Sequence, residues 1–219
     1  MDAALQVLYT ESGSSISCHE KLWLQYRQDF PPLLRNKIES FRDWRDRQLN
    51  LLGKLLICRA LESYGTIQDI LGAYTLDMHG RPFVNLPGVP DFNVSHSGKY
   101  AVCAALSGGG RVGIDIELVR DVNFSDFESF FPQDVWKMIM QSSDKVRTFY
   151  NYWTILESIA KAHGTGIGGP VKDIRIQGKK AEYCGQTWNF SEIKIFPEYS
   201  CHIAANIAIS AAVGQGFIY

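Results

Sequence analysis

Two carboxylates stand two residues apart in the otherwise apolar stretch Val112-Gly-Ile-Asp-Ile-Glu-Leu118. Side chains alternate between the faces of a strand, so Val112, Ile114, Ile116 and Leu118 point one way and Gly113, Asp115 and Glu117 the other. Neighbouring carboxylates repel unless a cation neutralises them, and a hard, oxygen-seeking ion such as Mg2+ suits such a pair. The plainer alternative is a half-exposed strand with an acidic outer face. Further along, Trp153, Glu157 and Lys161 are spaced i, i+4, i+8 and fall on one face of a predicted helix. There Glu157 and Lys161 are either a surface ion pair in its favourable orientation or part of a site. His96, within Phe92-Asn-Val-Ser-His-Ser-Gly98, falls at a predicted hairpin tip between Ser95 and Ser97. Taken alone, a His there is simply a tolerated polar residue.

To bring these groups together the chain needs a strand, a helix and a hairpin in contact. Gln6–Tyr9 predicts a short strand, and Ser17-Cys-His-Glu20 has the spacing of a capping box that starts a helix running to about Tyr26. A second helix is predicted over Asp43–Tyr64 and ended by Gly65, with Leu49, Leu52, Leu55, Leu56 and Leu61 at the 3.6 period. Gly53 inside it costs about 1 kcal/mol relative to Ala. Short strands follow at Ala73–Leu76, Asp91–Val94 and Tyr100–Leu106, and the cluster Ser107-Gly-Gly-Gly110 marks a boundary. Beyond it come the Val112–Leu118 strand, a helix after Pro132, a helix over Ser143–His163, and strands around Ile174, Trp188, Ile193 and His202–Ser210. Each half thus reads as helices followed by a small sheet, an α/β (α+β) chain divided into residues 1–110 and 111–219.

A chain of 219 residues with 46% hydrophobic and 12% aromatic content has ample material for packed cores. Its net charge of -1, with no long basic run, argues against general nucleic-acid binding, which depends on neutralising phosphates. Cys18, Cys58, Cys103, Cys184 and Cys201 lack metal-type spacing, and their odd number suggests reduced thiols rather than a disulfide framework. Met1-Asp-Ala-Ala4 has no basic region leading an apolar stretch, and the apolar run near Ile203–Val213 is too interrupted to span a bilayer. The expectation is a cytoplasmic protein that engages neither membrane nor nucleic acid.

The order and spacing of these elements resemble those of the Sfp-type 4'-phosphopantetheinyl transferase family. That family's pattern has a Ser-His segment, then Gly-[IV]-Asp-[IVL]-Glu, then Trp-x-x-Lys-Glu-[AS]-x-x-Lys leading to Gly-x-Gly-[LIM]. The chain supplies Asn93-Val-Ser95-His96-Ser97, Gly113-Ile-Asp115-Ile-Glu117, Trp153-x-x-Leu-Glu157-Ser158-x-x-Lys161 and Gly164-Thr-Gly166-Ile167, with Gly80-Arg81-Pro82 matching an upstream Gly-[KR]-Pro turn. The resemblance runs from about Gly80 to Ile167.

It implies two similar subdomains related by pseudo-twofold symmetry, with a cleft between them. It also implies an activity: transfer of the 4'-phosphopantetheine arm of coenzyme A to a serine of an acyl or peptidyl carrier protein, releasing adenosine 3',5'-bisphosphate. By resemblance, Asp115, Glu117 and Glu157 hold Mg2+ or Mn2+. Glu157 is also the proposed general base, and Lys161 contacts the pyrophosphate. Ser95 and His96 meet a coenzyme phosphate, and Gly80, Arg81 and Pro82 shape the adenine pocket. Gly164 and Gly166 let the chain turn tightly after the helix. The longer two-subdomain form resembles enzymes serving nonribosomal peptide and polyketide synthesis and implies a monomer.

Three positions depart from the pattern. Leu156 stands where many members have Lys, Val135 where many have an acidic residue with Asp134 as the nearest stand-in, and Leu49 where an Arg meets the 3'-phosphate of coenzyme A. Arg47 is the candidate replacement for that Arg, with Arg45, Arg35 and Lys37 behind it, although Arg42, Arg45 and Arg47 equally suit a solvated helix face. These departures keep open a second reading, a transferase-fold protein that binds coenzyme A or a carrier without turnover. An unrelated Mg2+-dependent phosphoryl-transfer enzyme is disfavoured, because no Gly-x-x-x-x-Gly-Lys-[ST] loop and no kinase motif set is present.

Overall fold

The computed structural model describes residues 4–165, 171–209 and 214–217. Strand β1 (Leu5–Glu11) is followed by helices α1 (Ile16–Tyr26), α2 (Pro32–Glu39), α3 (Trp44–Ala60) and α4 (Ile67–Gly72), then by the ribbon β2 (Tyr74–Leu76) and β3 (Pro82–Val84) and the hairpin β4 (Asp91–Ser97) and β5 (Tyr100–Leu106). After the glycine cluster come β6 (Val112–Leu118), α5 (Gln133–Gln141), α6 (Lys145–His163), β7 (Arg175–Gln177), β8 (Lys180–Tyr183), β9 (Gln186–Glu192), β10 (Tyr199–Ala205) and β11 (Gly214–Phe217). The fold is α+β, and among the described residues no helix is long and apolar enough to cross a membrane.

Local chemistry explains where the elements differ from expectation. Helix α1 is capped by Ser15, whose side chain accepts from the Cys18 N–H, so Ser17 falls inside the helix and its expected capping box does not form. Asp43 caps α3, but the helix stops at Ala60 and Glu62–Tyr64 forms a separate 3-10 turn. Helix α2, opened by Pro32, and α4, opened by a Thr66/Asp69 capping box, were not anticipated despite recognisable start signals. Strand β4 runs through His96 to Ser97, leaving Gly98–Lys99 as the hairpin tip, so His96 lies in the strand itself.

Two sheets carry the architecture, in the orders β11-β1-β5-β4 and β6-β10-β9-β8-β7. Helices α1–α4 cover one face of the first sheet through a core that includes Leu8, Leu52, Leu56 and Phe92. Helices α5 and α6 cover the second through Val135, Phe149, Leu156 and Trp188. Between the sheets, Val7, Val102 and Ala104 meet Val112, Ile114, Ile116 and Ile203. Strand β11 pairs in parallel with β1, so the last described strand belongs to the first sheet.

Strand β6 ends its sheet, which leaves backbone donors unpaired by any strand. Side chains of β4 meet them. Val112 N donates to Asp91 Oδ2 at 2.7 Å, Ile114 N to Asn93 Oδ1 at 3.0 Å and Leu118 N to Ser97 Oγ at 3.1 Å. Alternate β4 residues thus cap the free edge of β6.

Helix α6 is anchored to β10 by a buried polar chain. Thr154 Oγ1 lies 2.7 Å from His202 Nδ1 and 3.0 Å from Ser200 Oγ, which donates in turn to Asn151 Oδ1. Burial lowers the His202 pKa from 6.5 to about 4, so the folded protein holds the ring neutral where the unfolded chain would protonate it. Its contribution is complete above pH ~6.5 and is lost as pH falls toward about 4. Urea unfolding at pH 7 and pH 5 is expected to show about 2 kcal/mol of this loss in the wild type and a smaller loss in His202→Asn. Equal losses in both proteins would assign the pH dependence to other groups.

Candidate active site

Gly113 sets the approach of α6 to β6. A Cβ at this position would come 2.0 Å from the Ser158 carbonyl oxygen and 2.5 Å from the Ala162 nitrogen, so no side chain fits. This close packing carries Lys161 to Asp115, where Nζ donates to Oδ1 at 2.5 Å. Lys161 Nζ also donates to Ser95 Oγ at 3.0 Å, and Ser95 donates to the same Asp115 oxygen at 2.9 Å. Strands β4 and β6 and helix α6 therefore meet in one three-membered cluster. Next to it, Ser97 Oγ donates to Glu117 Oε2 at 2.7 Å.

The expected alternation of β6 holds: Val112, Ile114 and Ile116 enter the core between the sheets, while Asp115 and Glu117 face a cavity of about 360 Å3. Its walls also include Leu49, Lys54, His96, Trp153, Glu157 and Lys161. Asp115 is 3% and Glu157 6% exposed, so neither belongs to a solvated acidic face or a surface ion pair. Burial, reinforced by Asp115 and Glu117 against the pull of Lys161, raises the Glu157 pKa to about 7. Burial and Asp115 also raise Glu117, opposed by its Ser97 hydrogen bond. Burial disfavours the Lys161 charge, but Asp115, Glu157 and Glu117 outweigh it and hold the ammonium pKa above its usual value. Asp115 Oδ2 is buried and has no hydrogen-bond partner among the described residues. Among the described residues no three His, Cys, Asp or Glu side chains are gathered as a ready-made metal site.

A second cavity of about 350 Å3 is lined by His79, Gly80, Arg81, Pro82, Asn93, Val94, Lys161 and Gly164. It shares Val94 and Lys161 with the first. Arg81 is 7% exposed and its guanidinium is engaged inward. Nη1 and Nη2 donate to the two Asp91 oxygens at 2.9 and 2.6 Å, Nε to the Lys161 carbonyl at 3.0 Å, and Nη2 also to the Val112 carbonyl at 2.9 Å. It forms a wall of the cavity and bolts β4, β6 and α6 together. Gly164 ends α6 at φ +96, where its N–H donates to Ala160 O. Gly166 and Ile167 lie outside the described residues.

The departures from the motif pattern have structural explanations. Leu156 is 2% exposed and packs in the core with α5, facing away from the cavity that its neighbour Glu157 lines. It is a core residue rather than the site of a missing phosphate contact. Val135 is likewise buried, while Asp134 is exposed on α5 and lines neither cavity. Leu49 does face the first cavity. Arg47, expected beside it, is absent from both cavity walls, and its Nε is buried without a partner. Lys54, not singled out from the sequence, supplies a second ammonium to the cavity wall. Its position directly after the costly Gly53 was the available signal, because a Cβ at Gly53 would sit 3.2 Å from Val94 Cγ2 of β4.

Residues 111–212 match the 4'-phosphopantetheinyl transferase superfamily, and residues 17–108 match the N-terminal part of a 4'-phosphopantetheinyl transferase. The chain is 31% identical over 140 residues to 4'-phosphopantetheinyl transferase gsp of Aneurinibacillus migulanus, covering 63% of this chain and 57% of that one. It is 27% identical over 150 residues to 4'-phosphopantetheinyl transferase Sfp of Bacillus subtilis, covering 67% and 65%. The chain therefore spans less than two thirds of either relative's length. A Haemophilus influenzae relative named for the same transferase is 30% identical over 173 residues, covering 75% of this chain and 73% of that one.

Arg81→Met is expected to cost about 3 kcal/mol or more, because it leaves Asp91 without its cation at the sheet junction. Leu156→Lys buries an unpaired ammonium in the second core and is expected to cost about 3 kcal/mol without raising activity. Denaturant unfolding of both variants checks these values. A Leu156→Lys protein as stable as wild type, with faster turnover, would return that position to the first cavity.

Proposed function

The chain belongs to the 4'-phosphopantetheinyl transferase superfamily, and from that premise we propose that it moves the 4'-phosphopantetheine arm of coenzyme A onto a serine of an acyl or peptidyl carrier protein. The other product is adenosine 3',5'-bisphosphate. The observation that carries this reading is the Lys161–Asp115–Ser95 cluster beside Glu117 and Glu157, all on the wall of one cleft.

In the proposed reaction the carrier serine oxygen attacks the phosphorus that bears the pantetheine arm, and the bond to the bridging oxygen of the adenosine side breaks. Glu157 lines the cavity beside Lys161 and is placed to take the serine proton. Lys161 stays charged and lies where negative charge grows on the departing phosphate. Ser95 orients the Asp115–Lys161 pair, and His96 stands at the cleft for a coenzyme phosphate. Gly80, Arg81 and Pro82 contribute the wall of the adjoining adenine pocket.

A divalent cation fits this donor set. Asp115 and Glu117 are hard oxygen ligands on one strand face, Asp115 Oδ2 is an orphaned buried acceptor, and Glu157 shares their cavity. Mg2+, or Mn2+ in its place, would be held by Asp115, Glu117 and Glu157, completing its shell with water and substrate oxygens. When bound, it supplies neutralisation of pyrophosphate charge.

Residues of both halves, 1–110 and 111–219, line the cleft, which favours two subdomains acting together in a monomer. The five unpaired cysteines suit a reducing compartment such as the cytoplasm. Carrier proteins of nonribosomal peptide or polyketide synthesis are the proposed acceptors.

Intact-protein mass spectrometry of an apo carrier incubated with the chain, coenzyme A and Mg2+ is expected to show the mass gain of one phosphopantetheine arm, abolished by EDTA. Asp115→Asn is expected to lower the rate about 100-fold or more. Coenzyme A binding without mass gain across several carriers would replace the enzyme with a binding protein. Undiminished turnover in Asp115→Asn would remove that residue from the metal set.

A further inference from the structure

We propose that the buried polar chain Asn151–Ser200–Thr154–His202 sets the register of α6 on the second sheet, which makes Thr154 and His202 positioning residues for the acidic groups of the cleft. The inference rests on the transferase reading only for which groups take part in the reaction. Thr154 is 0%, Ser200 1% and His202 6% exposed. Besides its contacts with Ser200 and His202, the Thr154 hydroxyl reaches the Tyr150 carbonyl at 2.8 Å. Burying hydroxyls and a ring nitrogen costs free energy unless they are hydrogen-bonded, and apolar side chains would hold helix to sheet without that cost. A fully bonded buried chain instead fixes one arrangement.

The pairing of β10 defines what is fixed. His202 stands opposite Asp115, and Ser200 opposite Glu117, in the antiparallel register of β10 with β6. Residues directly opposite share a face with Cβ atoms about 5 Å apart, so His202 and Ser200 form the row beside the two carboxylates, on the face that α6 covers. Thr154 lies on α6 three residues before Glu157, close to one turn. The same two β10 side chains therefore flank Asp115 and Glu117 in the sheet and hold the turn of α6 that leads into Glu157.

Other contacts of α6 do not fix this register. The approach of Gly113 to Ser158 and Ala162 sets how closely the helix lies on β6, but apolar contact is non-directional and lets a helix slide or roll. Lys161 reaches Asp115 one turn after Glu157, through a four-carbon stem that tolerates movement. Thr154 has a short side chain that is stiff at χ1, and hydrogen bonds weaken steeply off their line, so its bonds hold the helix backbone itself. A misplacement of about 1 Å at reacting groups costs about 100-fold in rate.

Thr154→Val keeps the shape of the side chain and removes the hydroxyl. In steady-state transfer by the full chain with coenzyme A, an apo carrier and Mg2+, it is expected to lower kcat about 10- to 100-fold while leaving the KM for coenzyme A unchanged. His202→Leu is expected to fall likewise, whereas Thr154→Ser and His202→Asn, which keep a hydroxyl and a polar nitrogen in place, are expected to retain the wild-type rate. The double variant Thr154→Val, His202→Leu is expected to fall no further than either change alone, because the two residues act as a unit. Circular dichroism melting establishes that each variant is folded at the assay temperature. A lower melting temperature with unchanged kcat in folded Thr154→Val would overturn the assignment, as would a loss that Thr154→Ser fails to recover. Calorimetric titration with Mn2+ alone separates this inference from the transferase reading, with Thr154→Val expected to bind the ion about 10-fold more weakly than wild type or Thr154→Ser. That difference, without transfer by the wild type to any carrier, would end the enzyme reading and leave the positioning role standing. Transfer by the wild type, with both kcat and Mn2+ affinity indifferent to Thr154→Val, would do the reverse.

Discussion

The free edge of β6 is the constraint on which the rest of the structure depends. An edge strand carries unpaired donors into the interior, and here the short polar side chains Asp91, Asn93 and Ser97 of β4 meet them in place of another strand. Because capping is by side chains, β4 lies beside β6 without merging the two sheets. The residue that breaks the series, Ser95, turns its hydroxyl to Asp115 instead. The same strand-to-strand contact therefore joins the halves and shapes the site.

Buried charge is concentrated at this junction, and each case is balanced differently. Arg81 and Asp91 satisfy each other and tie three elements together, which makes them structural. Asp115 and Lys161 also pair, but one Asp115 oxygen remains without a partner. Glu117 and Glu157 line the same cavity, so three carboxyl groups share its wall with the ammonium groups of Lys54 and Lys161. Burial and mutual repulsion raise the pKa of both glutamates. Such a cluster carries an electrostatic cost, which marks it as a functional site rather than a source of stability.

Burial separates the three departures from the motif pattern. Leu156 and Val135 are core residues whose polar counterparts would face apolar neighbours. Only Leu49 faces the cleft, and there Lys54 supplies a cation from the same helix.

Much of the site was legible because its chemistry is local. Alternation in a strand places Asp115 and Glu117 on one face, and helical spacing aligns Trp153, Glu157 and Lys161, whatever the rest of the chain does. The long elements β5, β6, α3 and α6 were legible for the same reason, being strongly periodic. Short elements such as α2, α4 and β3 were not, since few residues carry too little periodic signal. The tertiary structure alone decided three things: that Arg81 spends its donors on Asp91 and the Lys161 carbonyl, that Arg47 stays off both cavity walls, and that Lys54 is buried at the cleft with no carboxylate partner among the described residues. Each depends on which other element packs against the residue, and a residue's own neighbours in sequence hold no record of that.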